Sequence, residues 1–191
     1  MKKLIAALVL ATAPTASIAM PALAQVPAGM ELGPKVGAKV PAFDVVDTNG
    51  ASQTLTSISG DKGVTLVFFR SADWCPFCKG QLKNLNSVAA ELEGLGWPVV
   101  GVSYDPEQIL TDFSKANGLT YKLMTDPGSK AIDAFGIRNE GVNNSPRFNG
   151  IPHPIILFIA KDGTVKAKLY EEAYQKRPPA DLVLSTAKGL N

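Results

Sequence analysis

The two cysteines of this 191-residue chain, Cys75 and Cys78, are separated by only two residues and directly follow an apolar segment at 63–70. That segment, GVTLVFFR, is almost continuously apolar, which is typical of a strand buried on both faces. From Pro76 onward the apolar residues recur at the spacing of one helix face. The cysteine pair therefore lies at a strand-to-helix junction, and this junction favours an α/β fold.

The remaining segments extend this alternation of strands and helices. Asn49-Gly50 and Asp162-Gly163 each indicate a hairpin turn between two short strands. The predicted order β-β-β-α-β-α-β-α-β-β-α implies one domain, with a mixed sheet covered by helices on both faces. The polar segment 138–150 is expected to be a mobile loop, which either recognises a partner or is a plain surface insertion. Helices are predicted over 76–93, 105–117, 126–135 and 178–190, and further strands over 97–104 and 120–125.

The first residues have the pattern of a secretory signal peptide. Lys2 and Lys3 precede an apolar run, and Ala22-Leu23-Ala24 provides a cleavage site. We expect a signal peptide at 1–24, an irregular arm at 25–36 and one domain at 37–191, in a periplasmic or secreted protein. An uncleaved anchor helix is disfavoured because polar residues and a proline interrupt the apolar run. No membrane span is expected in the chain that remains after cleavage.

Charge excludes one class of partner. The formal net charge is +2, and Lys2 and Lys3 account for it, so the mature side chains are close to neutral. A nucleic-acid-binding domain normally carries a basic patch or stripe. No nucleic-acid partner is therefore expected.

The junction gives the two sulfurs different chemistry. Cys75 is expected at the N-terminal edge of the helix, where free N–H groups and the helix dipole stabilise a thiolate. Its pKa should fall below the usual value of about 8.5. Cys78, one turn further on, can resolve a mixed disulfide formed at Cys75. Pro76 suits the first helical turn, and Trp74 and Phe77 are expected to cover the pair and leave one sulfur accessible.

Three other interpretations of the pair are open. A structural disulfide is disfavoured because so short a loop removes little entropy from the unfolded chain. A zinc site is disfavoured because the chain has a single histidine to join two cysteines. A buried reduced pair conflicts with export to an oxidising compartment. Redox chemistry is favoured, and neither a metal nor a cofactor is expected.

A second feature lies immediately before the last apolar strand, in the sequence Ile151-Pro152-His153-Pro154. Prolines beside a core strand remove backbone donors, and a cis peptide at His153–Pro154 would account for them. Ordinary trans prolines in a loop are the alternative. His153 is either a proton shuttle or a structural histidine. Arg70, at the end of the strand before the cysteines, either stabilises a thiolate, or receives peroxide, or extends into solvent.

These residues carry a resemblance to a known superfamily. The stretches VTLVFFRSADWCPFCKGQL and HPIILFIAKDG resemble the thioredoxin superfamily. The stretch VGAKVPAFDVVDTNG and residues 101–137 resemble one branch of this superfamily, the peroxiredoxin-like alkyl hydroperoxide reductase/thiol-specific antioxidant branch. The resemblance covers about 37–169 and implies a thioredoxin fold with an N-terminal β-hairpin extension and Pro154 as a cis-proline against the disulfide. Residues similar to those of the branch are Ser103, Asp105, Phe113, Asp126 and Gly136.

The chain departs from typical peroxiredoxins at the peroxide pocket. Typical peroxiredoxins carry a Pro seven residues before the peroxide-attacking cysteine, and a Thr or Ser three residues before it. Counting back from Cys75 gives Phe68 and Ala72, and counting back from Cys78 gives Ser71 and Cys75. The Arg that typical members have at the start of the penultimate strand is replaced by Pro154.

The resemblance and the departures together give three hypotheses. The first is a periplasmic thiol-disulfide oxidoreductase that exchanges disulfides with protein partners through Cys75 and Cys78. The second is a thiol-dependent peroxidase, an antioxidant enzyme in which Cys75 attacks peroxide and Cys78 resolves. The third is a non-enzymatic metal-binding or adaptor module. The electron donor, the direction of exchange and the oligomeric state remain open.

Overall fold

The computed structural model describes residues 31–142, 144–171, 173 and 175–191. The proposed signal peptide at 1–24 and the beginning of the arm, 25–30, lie outside the described residues. The rest of the arm is irregular, as expected, and Leu32 is buried in the core. The division of the chain at residues 24 and 36 stays a prediction.

A seven-stranded mixed sheet forms the centre of the protein. The strands are β1 (Asp44–Asp47), β2 (Ser52–Thr54), β3 (Gly63–Phe68), β4 (Val99–Ser103), β5 (Lys122–Thr125), β6 (Ile155–Ala160) and β7 (Val165–Leu169). Their spatial order is β2-β1-β5-β4-β3-β6-β7. The three central strands β3, β4 and β5 run parallel, whereas β1 and β6 pair antiparallel to β5 and β3. Both predicted hairpins are confirmed, as β1–β2 and β6–β7.

Helices cover both faces of this sheet, as predicted. They are α1 (Leu55–Ile58), α2 (Pro76–Asn86), α3 (Ala89–Gly94), α4 (Glu107–Asn117), α5 (Lys130–Ala134) and α6 (Ala180–Gly189). Short 3-10 turns occupy Pro127–Ser129 and Glu140–Val142. No helix within the described ranges is long and apolar enough to cross a membrane.

The central strand β3 divides the core into two layers. Val64, Leu66 and Phe68 enter a cluster with α1 and α5, and Val67 enters the opposite cluster with α2, α4 and α6. This alternation follows from the two-residue period of a strand. The strand is buried along its whole length, so its carboxyl end carries the cysteine loop on a rigid support.

The predicted helix over 76–93 is interrupted, which corrects the sequence-based boundary. Ser87 and Val88 separate α2 from α3. The Ser87 hydroxyl donates to the Asn84 carbonyl, and the Asn86 side chain bonds Gly118 and Thr120 in the loop before β5. These side-chain hydrogen bonds compete with helix continuation, which is why polar residues of this kind end a helix.

Candidate active site

Cys75 and Cys78 form a disulfide at the start of α2. Cys75 is the N-cap residue, and the Cys78 backbone N–H donates to its sulfur at 3.2 Å. Pro76 is the first helical residue, where a missing N–H removes no helix bond. The predicted placement of both cysteines at the helix start is therefore confirmed, and the Cys78 N–H directed at the Cys75 sulfur favours negative charge there.

The expectation that one sulfur is accessible is wrong for this oxidised structure. Cys75 is 1% exposed and Cys78 is fully buried. Phe77 lies on the first turn of α2 and is 41% exposed. The additional cover comes from Arg177, a residue of the segment that precedes α6.

Arg177 is the functional residue that sequence reasoning missed. Its guanidinium Nη2 lies 3.4 Å from the Cys78 sulfur and 3.9 Å from the Cys75 sulfur. Its Nη1 donates to the Lys176 carbonyl at 2.6 Å, which fixes the orientation of the side chain. Burial, with a smaller contribution from Arg70, lowers the pKa of Arg177 to about 10, so it remains cationic at neutral pH.

A second arginine strengthens this positive environment. Arg70, between β3 and the cysteines, lies with its guanidinium carbon 5.0 Å from the centre of the Trp74 ring. Its charge also lowers the pKa of His153, although burial of the imidazole lowers it more. His153 is therefore biased toward the neutral form. A cationic surrounding of this kind favours thiolate over thiol.

Trp74 connects the cysteine loop to the 138–150 loop. Its indole N–H donates to the Tyr104 hydroxyl at 3.0 Å, and that hydroxyl donates to the Arg147 carbonyl at 2.6 Å. The Trp74 and Phe148 rings pack with centroids 4.8 Å apart. Part of the loop predicted to be mobile is thus anchored beside the disulfide. Trp74 lies alongside the pair, as the sequence predicted.

A buried carboxylate holds the loop that leads to Cys75. Asp105 accepts hydrogen bonds from the Ser71 hydroxyl, the Ala72 backbone N–H and the Ser103 hydroxyl, at 2.7–2.9 Å. The Ser71 hydroxyl in turn accepts from the backbone N–H groups of Asp73 and Trp74. Burial raises the pKa of Asp105, although these hydrogen bonds oppose the shift.

The His153–Pro154 peptide is trans, which corrects the predicted cis bond; no cis peptide occurs in the described part of the chain. The His153 N–H donates to Ile137 and the Ile151 carbonyl accepts from Asn139, so the segment pairs as an extended chain. Pro152 and Pro154 lie on either side of His153, whose N–H makes the hydrogen bond. Neither proline stands where this pairing needs a backbone donor. The reason given for a cis bond therefore does not apply. Pro154 directly precedes β6, which pairs with β3.

With the fold and site in place, the comparisons with known proteins assign the family. The sequence profile described as the AhpC/TSA family matches residues 36–168. The chain belongs to this family. Within it, Peroxiredoxin Bcp of Escherichia coli is 29% identical over 132 residues, which are 69% of this chain and 83% of the relative.

Two further matches concern a shorter stretch of the chain and its fold. The thiol-disulfide oxidoreductase ResA of Halalkalibacterium halodurans is 30% identical over 105 residues, 54% of this chain and 58% of ResA. A peroxiredoxin-like protein from Aquifex aeolicus superposes with a TM-score of 0.71 at 22% identity, covering 83% of this chain and 89% of that one. The predicted thioredoxin fold is confirmed, and the protein is an oxidoreductase of the peroxiredoxin and thiol-disulfide oxidoreductase type.

The positions at which typical peroxiredoxins carry their peroxide-binding residues hold other residues in this chain. Phe68 and Ala72 stand at the seventh and third positions before Cys75, and both are buried and apolar. A guanidinium is nevertheless present at the sulfurs, supplied by Arg177 from outside the segment that matches the family profile. Among the residues that the structure describes, no group of three or more metal-ligating side chains is close enough together to hold a metal ion.

Proposed function

We propose that this protein is a thiol-dependent peroxidase in which Cys75 is the peroxidatic and Cys78 the resolving cysteine. The observation that carries the proposal is the Arg177 guanidinium 3.9 Å and 3.4 Å from the two sulfurs. A fixed cation at this place stabilises a thiolate and donates hydrogen bonds to peroxide oxygens. The similarity to Peroxiredoxin Bcp supports the same activity.

The first half-reaction follows from the position of Cys75 at the N-cap of α2. Its thiolate attacks one oxygen of the peroxide, a sulfur–oxygen bond forms and the oxygen–oxygen bond breaks. The leaving oxygen takes a proton and departs as water or an alcohol, and Cys75 becomes a sulfenic acid. Arg177 and the helix N–H groups stabilise the negative charge before and during this step.

The second half-reaction needs no large rearrangement, because Cys78 lies in the same helical turn. Its thiolate attacks the Cys75 sulfur, a disulfide forms and the hydroxyl leaves as water. The product is the bond seen in the structure, with α2 intact through Pro76–Asn86. Two external thiol groups then return two electrons to the disulfide and leave as a new disulfide.

Disulfide exchange with protein partners is the second candidate. The Cys-x-x-Cys spacing and the partial match to ResA favour it. In this case Cys75 attacks a partner disulfide and Cys78 resolves the mixed disulfide. Wild-type protein that reduces insulin disulfides in a Cys75-dependent manner, while reacting with peroxide only as fast as a small thiol, would establish this second function instead.

The rate of oxidation by hydrogen peroxide tests the primary proposal. Reduced protein is mixed with peroxide in a stopped-flow instrument and intrinsic tryptophan fluorescence is followed, since Trp74 lies beside the pair. We expect a second-order rate constant at least about a hundredfold above that of a free thiolate, the effect of one well-placed charge donor. A rate equal to that of a free low-pKa thiol would exclude an evolved peroxidase.

We further propose that the protein acts after export, in the periplasm or outside the cell. The charged and apolar pattern of residues 1–24 supports this. Edman sequencing of protein from a fractionated bacterial host should give Gln25 as the first residue, in the periplasmic or secreted fraction. Recovery of the chain with Met1 in the cytoplasmic fraction would contradict the proposal.

A further inference from the structure

One polar side chain lies among the residues on the buried face of α2. The buried residues of this helix are Cys78, Gln81, Leu82 and Leu85, and of these only Gln81 carries a side-chain amide. Gln81 follows Cys78 by three residues, a spacing that makes two side chains neighbours on one helix face. Long helical side chains also extend toward the N-terminus of their helix. The Gln81 amide is therefore placed against the turn that holds the Cys78 sulfur.

The Gln81 amide carries a hydrogen-bond acceptor that the oxidised protein does not satisfy. Gln81 is only 5% exposed, and its carbonyl oxygen Oε1 is closed to solvent, with no donor among the residues that the structure describes. Buried polar atoms almost always have a partner in native proteins, so an exception needs an explanation. Because solvent does not reach Oε1, the explanation is sought in a donor that belongs to the protein itself.

Reduction of the disulfide creates such a donor. A disulfide has no proton to donate, whereas each reduced cysteine can carry an S–H donor. Cys78 is fully buried and lies one turn before Gln81 on the same face of α2. Cys75 precedes the helix as its N-cap residue, six positions before Gln81, which is outside the spacing of neighbours on one face. The Cys78 thiol is therefore the donor within reach of Oε1.

The two sulfurs then lie in opposite hydrogen-bonding environments. The Cys75 sulfur accepts from the Cys78 backbone N–H at 3.2 Å, and a donor of this kind stabilises a thiolate. An acceptor beside the Cys78 sulfur stabilises the protonated thiol instead, and so opposes the charge of Arg177, whose Nη2 lies 3.4 Å from that sulfur. We infer that Gln81 is a positioning residue: its Oε1 accepts a hydrogen bond from the Cys78 thiol of the reduced protein and keeps Cys78 protonated while Cys75 is the thiolate.

This hydrogen bond belongs to the resolving step of the proposed peroxidase, on which the inference rests. Peroxide converts the Cys75 thiolate to a sulfenic acid while Cys78 stays a thiol held by Gln81. The Cys78 proton then passes to the departing hydroxyl, the Cys78 sulfur bonds to the Cys75 sulfur, and the Cys75 sulfur–oxygen bond breaks to release water. Oε1 loses its donor in this step, which accounts for the unsatisfied acceptor of the oxidised structure.

The pKa of each cysteine by itself tests the inference without peroxide. Cys75→Ala leaves Cys78 as the one thiol of the chain, and Cys78→Ala leaves Cys75. Thiolate absorbance at 240 nm reports the titration of a buried sulfur without a labelling reagent. In the Cys75→Ala protein, Gln81→Leu should increase the acid dissociation constant of Cys78 about three- to tenfold, the effect of one hydrogen bond. In the Cys78→Ala protein the same change should leave the Cys75 pKa unaltered.

The redox equilibrium with dithiothreitol gives a second readout on the protein with both cysteines. At pH 6 the reduced protein holds Cys78 as a thiol, so the hydrogen bond to Gln81 stabilises the reduced form and not the oxidised form. Gln81→Leu should therefore lower the equilibrium constant for reduction about three- to tenfold. A merely structural role of Gln81 in α2 would change the free energy of unfolding without moving this equilibrium.

Asn84→Leu is the matched control, because it also replaces an amide by leucine on α2, at an exposed position. It should retain the wild-type values in both measurements. Gln81→Met, an unbranched replacement of similar length, repeats the test should leucine prevent folding. Urea unfolding of each variant establishes that it is folded.

Three results would overturn the inference. One is a Cys78 pKa that removal of the Gln81 amide leaves unchanged, and another is an unchanged equilibrium with dithiothreitol. The third is an equal shift at Cys75 or in the Asn84→Leu protein, since this would reflect the general field around α2 and not a hydrogen bond to one sulfur. Slow oxidation of the wild type by peroxide, alongside the expected shift at Cys78, would instead count against the peroxidase proposal and leave the Gln81 hydrogen bond standing.

Discussion

The Arg177 guanidinium lies 3.4 Å from the Cys78 sulfur, although the two residues are 99 positions apart in the chain. The contact places a cation where the segment before α6 meets the N-terminus of α2. Peroxide reduction, resolution of the sulfenic acid and re-reduction of the disulfide all require negative charge at this place. Arg177 is therefore the side chain on which the proposed cycle most depends after the cysteines.

Replacing Arg177 with methionine should raise the pKa of the Cys75 thiol in the reduced protein. The oxidation rate by hydrogen peroxide at neutral pH should fall by about ten- to a hundredfold, as expected on loss of one charged donor. The pKa is read from the thiolate absorbance at 240 nm during a pH titration. Lys176→Met removes an exposed neighbouring charge and serves as the matched control. Equal effects of the two variants would show that the Cys75 pKa and the oxidation rate depend on net charge and not on the position of the Arg177 guanidinium, which would contradict the prediction.

Cys75→Ser should abolish rapid peroxide consumption, since the thiolate at the helix N-cap is the attacking group. Cys78→Ser should still react once with peroxide, but the product should remain a sulfenic acid because no second sulfur lies in the same turn. Trapping with dimedone followed by mass spectrometry distinguishes the two variants. Dimedone labelling at residue 78 in the Cys75→Ser protein, at the wild-type rate, would reverse the assignment of the cysteines.

His153 should titrate below the ordinary histidine pKa of about 6.5 in the folded protein, because burial and the Arg70 charge oppose its protonation. The folded state then binds fewer protons than the unfolded state as the pH falls below 6.5, so stability decreases in that direction. NMR titration is unambiguous because the chain has one histidine.

The stability consequence is tested with His153→Asn. Between pH 7.5 and pH 5.0 the wild type should lose more free energy of unfolding than the variant, as measured by urea denaturation. A larger loss in the variant would contradict the direction of the pKa shift.

Asp105→Ala should destabilise the protein by about 3 kcal/mol, because two hydroxyls and the Ala72 backbone N–H lose their buried acceptor. The free energy of unfolding in urea gives the magnitude. Asp112→Ala on the exposed face of α4 is the control and should change stability by about 0.5 kcal/mol or less. Because Ser71 orients the loop before Cys75, the Asp105 variant should also react more slowly with peroxide.

Local sequence patterns were sufficient for most of the secondary structure. The almost continuous apolar run of β3 and the turns at Asn49-Gly50 and Asp162-Gly163 each report a local preference, and each prediction is confirmed. The single helix predicted over 76–93 was wrong because the apolar period continues across Ser87, whereas the Asn86 side chain bonds the loop before β5 and the Ser87 hydroxyl bonds the Asn84 carbonyl where α2 ends. Such tertiary competition leaves no mark on the hydrophobic pattern.

Some residues of the candidate site could likewise be predicted from the local sequence, and others could not. Cys75, Pro76 and Cys78 were found from sequence because their chemistry depends on adjacency: a cap, a first-turn proline and a second sulfur one turn later. Trp74 was identified for the same reason. The cis bond at Pro154 was inferred from lost donors, but the extended pairing around His153 shows that none was lost.

By itself, the sequence determined that two sulfurs lie at the head of a helix behind a buried strand, because residues within one turn are neighbours in any fold that forms that turn. Only the tertiary structure decided what surrounds them. The Arg177 guanidinium reaches the disulfide from the segment before α6, and the Tyr104 hydroxyl reaches Trp74 from the residue after β4. Both contacts depend on how the sheet and helices pack. The physical reason is that backbone propensity acts over a few residues, whereas the charge and burial that control thiol reactivity act through space.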